Sequence, residues 1–507
     1  MQALHIKQNL LGGITAAVVA LPLALAFGVA SGLGATAGLY GAIVLGFFAS
    51  LFGGTDTQIS GPTGPMTVIM ASGVSAFNGE IGPIMATVML AGLFQIAFGI
   101  FKIGKFVRYI PYPVISGFMS GIGIIIIILQ INPFLGLESN AKILDVIFNL
   151  PSNLLNIHYT TFFLALASLA IVFFTPRKIT KIIPAPLIAL LVLTPISAMG
   201  HLSVATIGHI PVGLPEVKFP DFNLSNIKPI LTFGLTLAVL GTIDTLLTSI
   251  VADSVTRTKH NPNKELIGQG IGNSLCALVG ANPGAGATMR TVININSGGT
   301  NNISGMTHSV ILLMVVLFLA PIASQIPMAV LSGILIKVGV DILDYRFLQI
   351  IKQAPKNDLI VMLSVFFVTV FVDLITAVGL GVVLASLLVV YRITKETKIE
   401  LSGEACPDID FNEEGLRVVS ISGAFFFGSS TAFEAKVDEA LGTKHLVLDI
   451  KQVPFLDITA IFTLKDLILK LEDKMIKVSI VLQQQQLQQL KDIDKRNVFK
   501  NINFKVI

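Results

Sequence analysis

The residues best suited to hold a charged ligand occur in one short stretch of the chain, residues 282–291. After Pro283 come four small residues, then Thr288, and Arg290 stands two positions later. Small residues let the backbone approach a ligand closely, and an apolar helix is predicted to begin at or just after Thr288. A helix N-terminus offers unpaired N–H groups and partial positive charge. Because Arg290 adds a fixed cation, we expect this stretch to bind an anion.

A second stretch of the same kind lies at residues 58–67. It is rich in glycine and proline, and Pro62 and Pro65 suit a first helical turn, where N–H groups are unpaired in any case. It therefore predicts a second short helix. If the two short helices point their N-termini at each other, a small site with positive potential lies between them.

Asp244 is a carboxylate deep in an apolar segment, and Thr248 shares its helix face four residues later. An ionisable group at membrane depth is a functional hypothesis by default. Asp244 could coordinate Na⁺ together with Thr248 and backbone oxygens near Gly286, could carry a proton, or could pair with Arg290. The residues alone leave these three roles open.

The composition of the chain indicates the setting of these residues. Of 507 residues, 53% are hydrophobic and 13% charged, and mean hydropathy is +0.81; a soluble domain is about 25% charged. This predicts a polytopic helical membrane protein. About fourteen spans are expected, near residues 10–30, 36–53, 62–77, 83–101, 113–131, 160–174, 184–200, 229–252, 264–280, 288–297, 306–323, 326–343, 358–375 and 376–393.

The charges of the loops orient this topology. Four loops on one side each hold three Lys or Arg, Lys105 and Lys259 among them, whereas the other side holds only Lys142, Lys218 and Lys228. Positive residues favour the cytoplasmic side. Both termini are therefore expected in the cytoplasm.

The two halves of the membrane region resemble each other. Residues 64–66 align with 287–289, and at one constant offset Leu39, Gly41, Leu51 and Gly53 match Leu266, Gly268, Leu278 and Gly280. Because seven is an odd number of membrane crossings, the second half would have the opposite orientation in the membrane. Inverted repeats with paired broken helices are typical of secondary transporters that bind their substrate between the breaks.

After Arg392 the composition becomes that of a soluble domain, with alternating strand and helix patterns. The expected division is a transmembrane domain at 1–393, a linker at 394–414 and an α/β domain at 415–507. The chain shows no nucleophile–base pair and no cluster of metal ligands, so neither an enzyme nor a tightly bound cofactor is expected.

Several motifs together resemble the SulP family of anion transporters, called solute carrier family 26 in animals. They lie at residues 58–65, 116–121 and 284–291, and those at 243–253 and 264–270 are most similar to the BicA-type bicarbonate transporters of that family. The resemblance covers almost the whole chain. It implies a seven-plus-seven inverted repeat as in the nucleobase transporter UraA, with spans 1–4 and 8–11 as a core and spans 5–7 and 12–14 as a gate. The tail would be a STAS domain that supports a homodimer.

The resemblance also implies roles for single residues. Thr63, Ala287 and Thr288 would contact bicarbonate, and Na⁺ would be surrounded by Asp244, Thr248, Gly286 and Thr288. Gly64 is added because of its position in the first break, and Arg290 because of its charge. The expected substrate-binding set is therefore Thr63, Gly64, Ala287, Thr288 and Arg290. Arg290 is a departure, because BicA-type sequences have glycine there and many other SulP proteins have arginine. A fixed cation at this place could do electrostatic work otherwise done by Na⁺.

In the tail, residues 457–460 resemble the Asp-Ser-Ser/Thr-Gly stretch of STAS domains. Thr459 falls at the phosphorylatable position, although Ile458 replaces the preceding serine. Thr459 is therefore expected to be a helix N-cap or a regulatory site.

The sequence as a whole predicts Na⁺-coupled bicarbonate uptake by an elevator-like movement of the core against the gate, in a bacterial inner membrane. One alternative is H⁺-coupled symport of sulfate or a dicarboxylate, with Asp244 as proton carrier. Another is an anion channel or a membrane sensor that signals through the tail. The expected partners are a small inorganic anion, the lipid bilayer and a second copy of the chain, and no nucleic acid.

Overall fold

The structure of the chain is a computed structural model that describes residues 2–139, 142–180, 183–208, 213, 215–222, 226–372, 374–402, 415–493, 499 and 502–506. The chain divides into two compact units, Met1–Val382 and Val383–Ile507.

Each of the fourteen predicted spans coincides with one helix in the described residues. These helices are α1 (Gln2–Ala30), α2 (Ala35–Phe52), α3 (Gly64–Ala76), α4 (Ile81–Ile100), α5 (Tyr112–Leu129), α6 (Tyr159–Phe174), α7 (Ala185–Met199), α8 (Ile227–Thr256), α9 (Pro262–Leu278), α10 (Thr288–Asn296), α11 (Asn302–Ala323), α12 (Met328–Ile342), α13 (Lys356–Phe371) and α14 (Leu374–Glu396). Shorter helices connect some of them, at Ile103–Tyr109, Ile131–Leu135, Ile143–Phe148, Leu150–Asn153, Arg177–Thr180 and Tyr345–Ile350.

The helices are apolar, as a membrane-spanning fold requires. In the part of the chain that the structure describes, seven helices are long and apolar enough to cross a membrane by length and composition alone. The shortest of the fourteen are α3, with 13 residues, and α10, with 9. These are the two spans that the sequence predicts to be broken, because glycine and proline precede each helix. In the structure, the backbone before each of the two helices is extended.

The breaks before α3 and α10 are joined to each other. A two-residue strand precedes each helix, β1 (Ser60–Gly61) and β2 (Ala285–Gly286), and the two strands pair antiparallel, with Ser60 opposite Gly286 and Gly61 opposite Ala285. Since the strands run in opposite directions, α3 and α10 leave the ribbon in opposite directions. Their N-termini therefore face each other, as the sequence predicted.

Most of the fourteen helices pack in two groups. In the first group, α9 packs against α2 and α4, α1 against α2 and α11, and α8 against α4. In the second, α5 packs against α12 and α13, and α6 against α7 and α12. The helices of the first group are spans expected in the core, and those of the second are spans expected in the gate. Their roles as moving and stationary parts stay a prediction.

The C-terminal unit is a five-stranded sheet with helices. Its strands are β3 (Lys398–Ser402), β4 (Leu416–Ser422), β5 (His445–Gln452), β6 (Lys477–Leu482) and β7 (Asn503–Val506), in that order across the sheet. The pair β3–β4 is antiparallel and the other pairs are parallel. The helices α15 (Phe427–Glu439), α16 (Ile458–Asp473) and α17 (Gln484–Ile493) complete it, and Phe425, Phe433, Leu448 and Leu464 lie in its buried core.

The segment expected to be a linker, residues 394–414, contains the last residues of α14 and all of β3. The strand was missed because its hydrophobic alternation is short and its partner lies farther along the chain. Residues 403–414 lie outside the described residues. The limits of the domains otherwise stay a prediction.

The expectation that Thr459 caps a helix is wrong. Asp457 is the N-cap of α16, and its Oδ1 accepts a hydrogen bond from the Ala460 N–H at 2.7 Å. Its Oδ2 also accepts from the Phe427 N–H at 3.0 Å, which ties α15 to α16. Thr459 is exposed in the first turn of α16, so its regulatory role stays a prediction.

Candidate functional site

The site is built on the crossing of β1 and β2. Beyond the ladder, the Ala287 N–H donates to the Ile59 carbonyl at 2.8 Å, and the Ile59 N–H donates to the Thr291 hydroxyl at 3.0 Å. A Cβ on Gly284 would overlap the Gly61 carbonyl oxygen. Only a residue without a side chain permits this approach of the two backbones, which explains the glycine at this point of the sequence.

Asn273 of α9 holds the second break in place. Its Nδ2 donates to the Gly284 carbonyl and its Oδ1 accepts from the Gly284 N–H, both at 3.0 Å. The same Nδ2 donates to Gln95 Oε1 at 2.8 Å. Asn273 and Gln95 are fully buried, so these bonds fix the backbone in the absence of a longer sheet.

Glu265 of α9 holds the first break, and sequence analysis assigned it no role. Its Oε2 accepts from the N–H groups of Gly54 and Thr55 at 2.8 and 2.9 Å, and its Oε1 accepts from the side chains of Gln58 and Gln269 at 2.7 and 2.9 Å. The carboxylate is only 1% exposed, and four donors compensate its burial. The sequence did contain a signal for this role, because Glu265 is a charged residue in the first turn of an apolar span.

The start of α3 is open to a ligand. Thr63 is the N-cap of α3, but its side chain makes no capping hydrogen bond, and its Oγ1 has no partner. The first N–H groups of a helix have no acceptor within the helix. The N-terminus of α3 therefore retains donors and a free hydroxyl.

A cavity of about 390 Å³ lies at the facing N-termini, between the two groups of helices. It contains all five residues of the expected substrate-binding set and three of the four expected cation-binding residues, Asp244, Gly286 and Thr288. The second group of helices contributes Met119 of α5 and residues 338, 341 and 342 of α12. Thr248 does not line the cavity but lies directly behind it.

Three of the four residues expected to surround a cation contact one another, and the fourth, Asp244, lines the same cavity. The Thr248 hydroxyl donates to the Gly286 carbonyl at 3.0 Å and lies 2.7 Å from Thr288 Oγ1. Asp244 stands one turn before Thr248 on α8 and lines the same cavity. One carboxylate, two hydroxyls and one carbonyl form a set of hard oxygen donors, the type that alkali cations prefer in transporters with broken helices.

This set differs from a transition-metal site. Among the described residues, no three His, Cys, Asp or Glu side chains are grouped so that they could hold a metal ion.

Arg290 is buried beside the first break. It is 1% exposed, its Nη2 donates to the Pro62 carbonyl at 3.2 Å, and its Nη1 has no hydrogen-bond partner. Its guanidinium thus lies behind the start of α3. It adds positive charge where both helix N-termini point.

Asp244 and Arg290 do not form an ion pair. Asp244 Oδ2 has no hydrogen-bond partner, and none of the salt bridges among the described residues joins the two side chains. The structural pair that the sequence left open is therefore absent. Both charges face the cavity without mutual neutralisation, which favours ligands that bring charge of their own.

Comparison with known proteins agrees with this architecture. A model of the sulfate permease family matches residues 6–365, and a STAS domain model matches residues 410–506. The bicarbonate transporter BicA of Picosynechococcus sp. is 45% identical over 502 residues, covering 94% of this chain and 88% of that protein.

Two solved structures resemble the chain. The transmembrane domain of a cyanobacterium bicarbonate transporter BicA is 49% identical with a TM-score of 0.70, covering 74% of this chain and 98% of that one. The murine Solute Carrier 26 family member A9 anion transporter in the inward-facing state has a TM-score of 0.86 at 20% identity, covering 99% of this chain and 90% of that one, and is similar in fold alone. By its helices, its paired breaks and the span of these matches, the chain belongs to the sulfate permease family of integral membrane transporters and ends in a STAS domain.

Proposed function

We propose that this protein takes up bicarbonate together with Na⁺. The observation that carries this proposal is the gathering of oxygen atoms from Thr248, Gly286 and Thr288 beside Asp244, on the wall of a cavity that two helix N-termini enter. The cation would bind the oxygens, and the anion would bind the N–H groups and Thr63. The similarity to proteins named bicarbonate transporters supports the same substrate.

The charge of the cavity supports one Na⁺ and one monovalent anion. The core residues that line it include one negative side chain, Asp244, and one positive side chain, Arg290. Their sum is zero, and Na⁺ with bicarbonate adds zero. The moving part would therefore be neutral at the site whether empty or loaded, and charge is costly to move through a membrane. Sulfate with one Na⁺ would add a net negative charge.

The proposed movement is an elevator-like displacement of the core helices against the gate helices. The ribbon of β1 and β2 lies within the core group, so α3, α10 and the bound ions would move as one body. A second cavity of about 170 Å³ lies at the C-terminal end of α3, lined by residues such as Val74 and Ser75 of α3 and Leu335 of α12. Two cavities at opposite ends of one half-helix suit a site that opens alternately to each side.

The protein would work in a bacterial inner membrane with both termini in the cytoplasm, as the loop charges predict. The STAS domain would bring two copies of the chain together as a homodimer. We propose transport alone for the protein, without an enzymatic reaction. Thr459, exposed at the N-terminus of α16, is where a phosphate could act on that domain.

The second candidate function is H⁺-coupled symport of sulfate or a dicarboxylate. Arg290 favours it, because a buried guanidinium with a free Nη1 supplies fixed positive charge for a divalent anion. The description of the family as sulfate permeases points the same way. Asp244 would then carry the proton.

Uptake by purified protein in proteoliposomes separates these functions. Labelled bicarbonate, sulfate and fumarate are tested, with a Na⁺ gradient and a pH gradient imposed separately. We expect bicarbonate accumulation with Na⁺ alone. Sulfate or fumarate accumulation with the pH gradient supports the second candidate. Currents far above carrier turnover without a coupling ion indicate a channel, and binding without any flux indicates a sensor.

A further inference from the structure

One charged pair at the cavity has no role in the proposed function. Lys337 and Asp341 of α12 form an ion pair one helical turn apart. Asp341 lines the cavity together with Thr63, Asp244 and Arg290, whereas Lys337 is not among the lining residues. The pair therefore lies on the gate side, opposite the two helix N-termini.

Lys337 is held away from the cavity. Its Nζ lies 5.1 Å from the centre of the Phe173 ring on α6, a cation–π contact within the gate helices. The pair thus presents its negative end to the cavity and keeps its positive end behind. An ion pair at i,i+4 on a helix contributes little to stability, and the order with the base first, as here, is the less favourable one. Stability alone therefore does not explain this polarity.

The polarity matters because few charges line the cavity. Of the sixteen lining residues, only Asp244, Arg290 and Asp341 have acidic or basic side chains. An anion seated at the helix N-termini faces the Asp341 carboxylate across the cavity. The repulsion is proportional to the charge of the anion, so a divalent anion is opposed twice as strongly as a monovalent one.

We propose that Asp341 is a specificity-determining residue that selects monovalent over divalent anions, with Lys337 as the positioning residue that directs its carboxylate and limits its charge. This inference rests on the proposed function, since it assumes that anions bind in this cavity. It assigns the choice between bicarbonate and sulfate to the gate, whereas the helix N-termini and Arg290 of the core attract both.

The test measures anion binding to the full-length protein in detergent, as thermal stabilisation by bicarbonate and by sulfate at mildly alkaline pH. Asp341→Asn keeps the shape of the side chain and removes the charge. We expect the Kd for bicarbonate to fall by about threefold and that for sulfate by about ninefold, because twice the interaction energy squares the factor. Asp358→Asn is the matched control, since Asp358 is exposed on α13 and does not line the cavity.

The outcomes separate the inference from the function that it rests on. Equal factors for the two anions, or no change in either, overturn the inference while leaving anion binding intact. If wild-type protein binds neither anion, the proposed function fails and the inference fails with it. Should Asp341→Asn not fold, Lys337→Met tests the same claim with opposite sign: it leaves Asp341 uncompensated, so both anions must bind more weakly and sulfate by the larger factor.

Discussion

In the proposed function, the choice of coupling ion depends on Asp244. Its Oδ2 has no hydrogen-bond partner, and three further oxygen donors stand within a turn or at the facing break. In a site with little water, charges interact strongly and are costly to leave unpaired. A bound cation would therefore neutralise the carboxylate of Asp244 and give its Oδ2 a partner.

Asp244→Asn removes the charge that balances the cation. We expect Na⁺-driven uptake to fall by at least about tenfold, which corresponds to about 1.4 kcal/mol of lost cation binding, and its dependence on Na⁺ to vanish. Uptake as a function of Na⁺ concentration checks this. If coupled accumulation stops while anion exchange survives, Asp244 carries a proton instead.

The double variant Asp244→Asn with Arg290→Gly is the control for a structural role. Because the two side chains do not pair, the double variant should be no better folded than the single ones. Recovery of folding in the double variant would show that the two charges neutralise each other.

Glu265→Gln tests the buried network at the first break. The amide places an NH₂ group where the carboxylate accepts four hydrogen bonds, so at least one donor loses its acceptor. We expect a loss of about 3 kcal/mol in the free energy of unfolding, seen as a lower melting temperature in detergent. Glu80→Gln is the control, because Glu80 is exposed and caps no N–H group with its side chain. Equal melting temperatures for the two variants would contradict the structural role of Glu265.

The residues of the site were predictable to different degrees. All of Thr63, Gly64, Ala287, Thr288, Arg290 and Asp244 line the cavity. Asp244 and Arg290 could be found as ionisable residues in apolar segments, whereas Thr63 and Ala287 were implied by the family resemblance. Glu265 and Asn273 were missed because their partners are remote: Glu265 binds Gln58 across 207 residues. Such contacts depend on the packing of α9 against α2 and α4, which no local pattern reveals.

At the scale of elements, the crossing of β1 and β2 is what positions the site. The sequence predicted both breaks from glycine and proline. It did not predict their pairing, since two-residue strands have no detectable periodicity. In the tail, β3, β7 and α17 were missed, whereas the longer strands followed from alternating hydrophobicity and α15 and α16 from helical periodicity.

Gly284→Ala tests this crossing. The added Cβ would overlap the Gly61 carbonyl oxygen, so the two half-helices must shift apart and the cavity must change. We expect loss of most transport, with protein still inserted in the membrane. Gly379→Ala is the matched control, because nothing lies within 4 Å of its Cβ position. Normal uptake by Gly284→Ala would show that the site does not need the close crossing.

At the scale of the whole molecule, the topology decides which side each cavity opens to. The fourteen helices coincide with the predicted spans, and the order of elements is the same in both halves, with a strand and a half-helix third in each. Lys218 and Lys259 lie in loops, Lys105 lies in the short connecting helix Ile103–Tyr109, and all three are exposed. They are therefore suitable places for labels.

Cysteines at these three positions test the orientation. In a chain with Cys276 and Cys406 replaced, an impermeant thiol reagent added to intact cells should label position 218 and spare positions 105 and 259. Cys276 is buried, and Cys406 lies outside the described residues. Labelling of position 105 from outside would rule out the proposed orientation.

The most direct test of the account is the accumulation of labelled bicarbonate in proteoliposomes under an inward Na⁺ gradient, without a pH gradient and at clamped membrane potential. Neutral loading of the site with one Na⁺ and one bicarbonate predicts accumulation that follows the Na⁺ gradient and does not change with the potential. The same accumulation when choline replaces Na⁺, or none in either case, would contradict Na⁺-coupled bicarbonate uptake.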